Sequence, residues 1–137
     1  MVDETRVARL LRGVEERLGR LDEARTDLGG QAGTPFLLDA VKYLFVTTIE
    51  GCVDVAHHIA ASEQWGAPDT NAAAFALLAD HGVIDAGLGR RMARAVGFRN
   101  VLVHQYAVVD DERVIASLDE LDDLRRFVHQ VSAWMIC

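Results

Sequence analysis

Arg99, Asn100 and His104 lie close together in the stretch Gly97-Phe98-Arg99-Asn100-Val101-Leu102-Val103-His104-Gln105-Tyr106, and each carries chemistry that its apolar neighbours do not. The helical stripe through this region reads Leu88, Met92, Ala95, Leu102 and Tyr106, and Arg99 takes the place between Ala95 and Leu102 where a core residue belongs. A guanidinium buried there needs a carboxylate, a phosphate or an interface open to water, because an unpaired buried charge is too costly to keep. Residue classes alone favour a structural ion pair with Asp54 or Glu50. His104 lies five positions on, about 140° around a straight helix from Arg99. For both to meet one phosphate, the arginine must curl, the helix must bend or end near His104, or a second subunit must complete the site. Asn100, one turn before His104, is placed to hydrogen-bond the imidazole and fix its tautomer. Gly97 weakens the helix locally and allows another backbone to come close.

Two other groupings carry weaker signals. Asp54 and His58 are one helical turn apart, but two ligands do not make a metal site, and Cys52 and His57 point to other faces. No metal and no cofactor are therefore expected. Asp54 is better taken as a polar partner for Arg99 or His104. Arg90, Arg91 and Arg94 join Arg99 to make this segment the locally basic part of an acidic chain. They suit local contact with a nucleic-acid backbone, or a solvated face paired to acids of the last helix. No glycine-rich phosphate loop, nucleophile elbow or zinc motif is present.

The elements that must position these residues are helices. Val7, Leu10, Leu11, Val14, Leu18 and Leu21 repeat with helical spacing, and Gly29-Gly30 supplies a stop after Leu28. Thr34-Pro35 reads as a cap and first helical residue, opening a long apolar helix from about Pro35 to Ala61. After the loop 66–70, Asp69 or Thr70 caps a short helix from Asn71 to Asp80, which Gly82 ends. Asp85 caps the fourth helix, running toward Tyr106, and Asp110-Asp111-Glu112 reads as a polar break. Ser117 to Glu120 has capping-box spacing, and Leu121, Leu124, Val128, Val131 and Met135 form the stripe of a closing helix. Val108, Val109 and Val114 offer at most a short extended piece. The expected fold is all-α: one domain over residues 1–137, an antiparallel bundle of four to five helices.

Composition agrees. The chain has 137 residues, half of them hydrophobic, enough for one domain that buries roughly 68–70% of its unfolded surface. Eleven glycines, two prolines and 7% aromatics fit neither a disordered nor a many-turned all-β chain. Cys52 and Cys137 give no disulfide framework, and the N-terminus lacks a signal-peptide pattern, so a reducing cytoplasm is expected. Lys42, Glu50 and Asp54 interrupt the most apolar stretch, so no membrane span is expected. The net charge of -7 opposes nonspecific attraction to phosphate backbones, so any nucleic-acid contact must be local.

The string from Gly97 to Tyr106 resembles the R-x(4)-H-x-Y signature of HepT-like proteins in the HEPN superfamily, the toxin partners of minimal nucleotidyltransferase (MntA-type) antitoxins. The resemblance extends to the second helix, with Glu50, Asp54, His58 and Ile59, and to Phe75–Gly82 ahead of the motif helix, and so covers most of the chain. It implies a HEPN-like homodimer acting as a metal-independent endoribonuclease toxin of a type VII system. The nucleic-acid partner expected from this resemblance is RNA, and no DNA partner is expected. Arg99 and His104 would be catalytic at a cleft between subunits, with Asn100 and Asp54 supporting, and cleavage would leave a 2',3'-cyclic phosphate. It further implies that the cognate nucleotidyltransferase adenylylates Tyr106, which on the stripe alone reads as a core residue. Two alternatives stand beside this: a non-catalytic dimeric binding partner of a nucleotidyltransferase, and a nucleotide-binding module.

Overall fold

The computed structural model describes residues 2–28, 35–105 and 108–136, and every regular element among them is helical. The order is α1 (Glu4–Leu28), α2 (Pro35–Ser62), α3 (Asn71–Asp80), α4 (Ala86–His104), α5 (Asp111–Ser117), a 3-10 turn (Leu118–Glu120) and α6 (Asp122–Ile136). No helix among the described residues is long and apolar enough to cross a membrane.

Caps set most boundaries. Asp3 accepts from the Arg6 amide at 3.0 Å and starts α1 one turn ahead of its apolar stripe. Thr70, not Asp69, caps α3, accepting from Ala73 N at 3.0 Å. Gly82, at φ 77, ends that helix in the left-handed region where a side chain would be strained. The Gly29-Gly30 stop and the Thr34 cap lie outside the described residues.

The segment after α4 departs from the sequence reading, with six α-helices among the described residues rather than four or five. Asp110-Asp111-Glu112 is a helix start: Asp110 accepts from Glu112 N at 3.0 Å, and the acids that follow suit the positive end of a helix. Val114 is buried in α5 while Val108 and Val109 lie in the preceding turn, so no extended piece forms there. Ser117 makes no capping box; its hydroxyl donates back to Arg113 O at 2.8 Å and the chain continues helically through the 3-10 turn. Val114, Leu118 and Leu121, at i, i+4 and i+7, are all buried, and that stripe is satisfied only if the chain keeps turning.

Helix α2 is the centre of the core. Val41, Phe45, Ile49, Cys52, Val55, Ala56 and Ile59 are buried on it, and α1, α3, α4, α5 and α6 all pack against it. Against α1 the approach is close: a Cβ added at Gly51 would stand 2.8 Å from Val14 Cγ2. Phe75 of α3 and Phe127 of α6 meet edge to face, ring centroids 5.4 Å apart. Long-range ion pairs tie the helices together, among them Arg125 of α6 with Asp22 of α1, Arg91 of α4 with Asp123 of α6 at 2.8 Å, and Lys42 of α2 with Asp111 of α5 at 3.2 Å.

Candidate active site

Helix α4 carries the site and is fixed at its start by a reciprocal clamp. Asp85 accepts from the Leu88 amide at 2.7 Å as N-cap and from Gln130 Nε2 of α6 at 2.8 Å, while Gln130 Oε1 accepts from Asp85 N at 2.8 Å. The Gln130 and Leu88 hydrogen bonds hold the Asp85 carboxyl below its ordinary range. The buried face of α4 is Leu88, Met92, Val96 and Leu102, and Gly89 lets the helix lie against α3, where an added Cβ would meet Ala79 Cβ at 3.1 Å.

Arg99 continues that buried face, and its side chain is 23% exposed. Its charge is met by Glu50 of α2: Nη2 donates to Glu50 Oε1 at 2.6 Å. Of the two carboxylates the sequence offered, the structure uses Glu50; Asp54, one turn further along α2, is exposed and bonds to neither Arg99 nor His104. Asn100 is likewise engaged elsewhere than expected, its Oδ1 accepting from Arg99 Nη1 at 3.0 Å instead of meeting the imidazole. The Arg99 Nε is buried without an acceptor among the described residues.

His104 is the last residue of α4 and is exposed, with no hydrogen bond to any described residue. The helix ends there, with Gln105 N donating to Val101 O at 2.9 Å. In a single chain, then, Arg99 faces α2 while His104 stands at the helix end, as their angular separation requires. Gly97 is exposed, and among the described residues nothing beyond its own helix lies within 4 Å of an added Cβ. Tyr106 lies outside the described residues.

The remaining polar candidates have local duties. His57 Nε2 is 3.0 Å from Asn71 Oδ1 and His58 Nε2 is 3.4 Å from Ser62 Oγ. Among the described residues no three His, Cys, Asp or Glu side chains are grouped to hold a metal ion. Arg91 pairs with Asp123 of the last helix, and this pair, together with Arg94, Phe98, Arg113 and Glu120, lines an open groove of about 660 Å³. There Arg113 lies over the Phe98 ring, 5.4 Å from its centroid. Sequence reasoning did not find this groove, because Arg113 and Phe98 are brought together only by the turn into α5.

A family model described as Ribonuclease HepT-like matches residues 14–131. The chain is 31% identical over 107 residues, 77% of its length and 80% of the relative's, to a protein of Shewanella oneidensis named mRNA nuclease HepT. It is 28% identical over 117 residues, 85% of the chain and 88% of the relative, to a putative RNase of Archaeoglobus fulgidus. Among solved structures, it superposes with a TM-score of 0.86 and 25% identity on a tri-AMPylated HEPN toxin of S. oneidensis in complex with an MNT antitoxin, covering 97% of this chain and 99% of that one. The motif on α4 and the match over nearly the whole helical domain agree: this chain belongs to the HepT-like family.

Proposed function

We propose that this protein is a metal-independent endoribonuclease, the toxin of a toxin and nucleotidyltransferase pair in the cytoplasm, working as a homodimer. The observation that carries the reading is the placement of Arg99 and His104 on the final turns of α4, one half-buried and charged, the other exposed with a free imidazole, in a chain of the HepT-like family. Single-chain geometry keeps the two groups on different sides of the helix, and a second α4 crossing at Gly97 and Asn100 would bring the partner's groups into one cleft.

Each group has a chemical task there. The imidazole of His104 takes the proton of a ribose 2'-hydroxyl, or gives one to the leaving 5'-oxygen. The 2'-oxygen attacks the adjacent phosphorus, the P–O5' bond breaks, and a 2',3'-cyclic phosphate and a 5'-hydroxyl remain. Arg99 binds the phosphate and offsets the charge that grows on its oxygens. Asn100, bonded to Nη1, holds the guanidinium in orientation. Adenylylation of Tyr106, two residues past His104, would add bulk and negative charge beside the cleft and block RNA, which is how the nucleotidyltransferase would neutralise the toxin.

The test is incubation of the purified, unmodified protein with total RNA, chelator present throughout, for wild type and His104→Ala. Cleavage to cyclic-phosphate ends by wild type alone supports the reading. Equal inactivity of both proteins across RNA classes assigns the fold to partner binding instead.

A further inference from the structure

Glu50 has no role in the cleavage scheme, yet it makes the strongest contact to the residue on which that scheme depends. A guanidinium offers five N–H groups, and it grips a phosphate best through two parallel bonds from one edge. In Arg99, Nη2 is held by the Glu50 carboxylate at 2.6 Å, Nη1 by the Asn100 carbonyl at 3.0 Å, and Nε is buried out of reach. Each outer nitrogen thus already gives one of its two N–H groups to the protein, and a phosphate that takes both nitrogens side by side must compete with the charged one of these partners, Glu50. A phosphate approaching Arg99 also meets the negative charge of Glu50 beside it, and Asp54, exposed one turn along α2, adds a second. The pair is open to release. The Glu50 side chain is 43% exposed against 23% for Arg99, whose Nε is buried, so the carboxylate is the partner better placed to swing into water.

We propose that Glu50 is a competing anion: it holds Arg99 until an RNA phosphate takes its place, and it thereby sets how tightly the cleft takes RNA. This rests on the RNA-cleaving reading above. The step is an exchange of partners on one guanidinium, with no covalent change.

The test compares His104→Ala with the double variant His104→Ala/Glu50→Gln for binding of a fluorescein-labelled single-stranded RNA oligonucleotide, by anisotropy at low and at high salt. The glutamine variant is expected to bind about fivefold more tightly at low salt, the fold-change a part-exposed ion pair carries, and the gain should shrink as salt rises. In the background with His104 intact, Glu50→Gln should lower KM and leave kcat unchanged or raised. A loss of kcat at unchanged KM would overturn the proposal and make Glu50 a positioning residue for Arg99, as would unchanged binding in a variant whose helical circular dichroism is intact. Wild-type protein that cleaves RNA while Glu50→Gln binds no better defeats this inference alone; absence of RNA binding in both proteins defeats it together with the functional reading.

Discussion

At the residue scale, burial decides which groups react. Cys52 sits in the core between α1 and α2, and burial pushes its thiol up to about 12. The unfolded chain ionises the thiol near its ordinary value of about 9, so above that pH the unfolded state binds fewer protons than the folded one. Stability contributed by the neutral thiol is therefore full below pH 9 and falls between about 9 and about 12. Urea unfolding of wild type and Cys52→Ala at pH 8 and at pH 10.5 should show the stability gap closing in the alkaline sample, with a limiting slope of about 1.4 kcal/mol per pH unit. A gap that does not move with pH would mean that the thiol is not shielded. Gly51, its neighbour, is needed for a different reason, the Val14 methyl 2.8 Å from where a Cβ would stand. Gly51→Ala should cost about 1–2 kcal/mol despite the better helix propensity of alanine, and Val14→Ala in the same chain should recover part of it, read by the same urea titration.

At the element scale, α4 is aimed by its first residue. The Asp85–Gln130 exchange joins the cap of the site helix to α6, so Asp85→Ala should lower the melting temperature at neutral pH and Gln130→Ala should lower it less, because the Leu88 cap survives. Since the carboxyl is held below its ordinary range, its stabilisation is present above that range and is lost as pH falls through its folded value. Thermal melts of wild type and Asp85→Ala should therefore converge as the pH falls, and a difference that does not shrink at all in acid would contradict the account. The Asp85 cap was legible in the sequence, as were the helices whose stripes are long and regular. The Gln130 half of the clamp was not, being 45 residues away and specified only by how α6 lies on α4. The same limit explains α5. Its three leading acids read as a break on their own, and become a helix start only because Val114, Leu118 and Leu121 have a core to enter and Lys42 lies 3.2 Å from Asp111.

At the scale of the whole molecule, a single chain keeps Arg99 against α2 and His104 at the exposed end of α4. The motif residues were readable from spacing alone as a misplaced arginine and a histidine on another face, and the structure keeps them so. Which carboxylate would meet Arg99 was not readable, because Glu50 and Asp54 are one turn apart on α2 and only the registry of α2 against α4 chooses between them. Gly97 bears on the assembly. An alanine there meets nothing within 4 Å among the described residues, so Gly97→Ala should stabilise the fold by up to about 1 kcal/mol. If two α4 helices cross at this point, the same change should weaken dimerisation in sedimentation equilibrium; dimerisation unaffected by Gly97→Ala would place the crossing elsewhere.

The measurement that tests the central claim most directly is complementation between two inactive variants. Arg99→Ala and His104→Ala proteins, differently tagged, are co-expressed and the mixed dimer is isolated and assayed for RNA cleavage with chelator present. A cleft that joins Arg99 of one subunit with His104 of the other predicts that activity returns in the mixed dimer while each parent homodimer stays inactive. A mixed dimer as inactive as its parents, from subunits that fold and associate normally, would contradict a site shared between subunits.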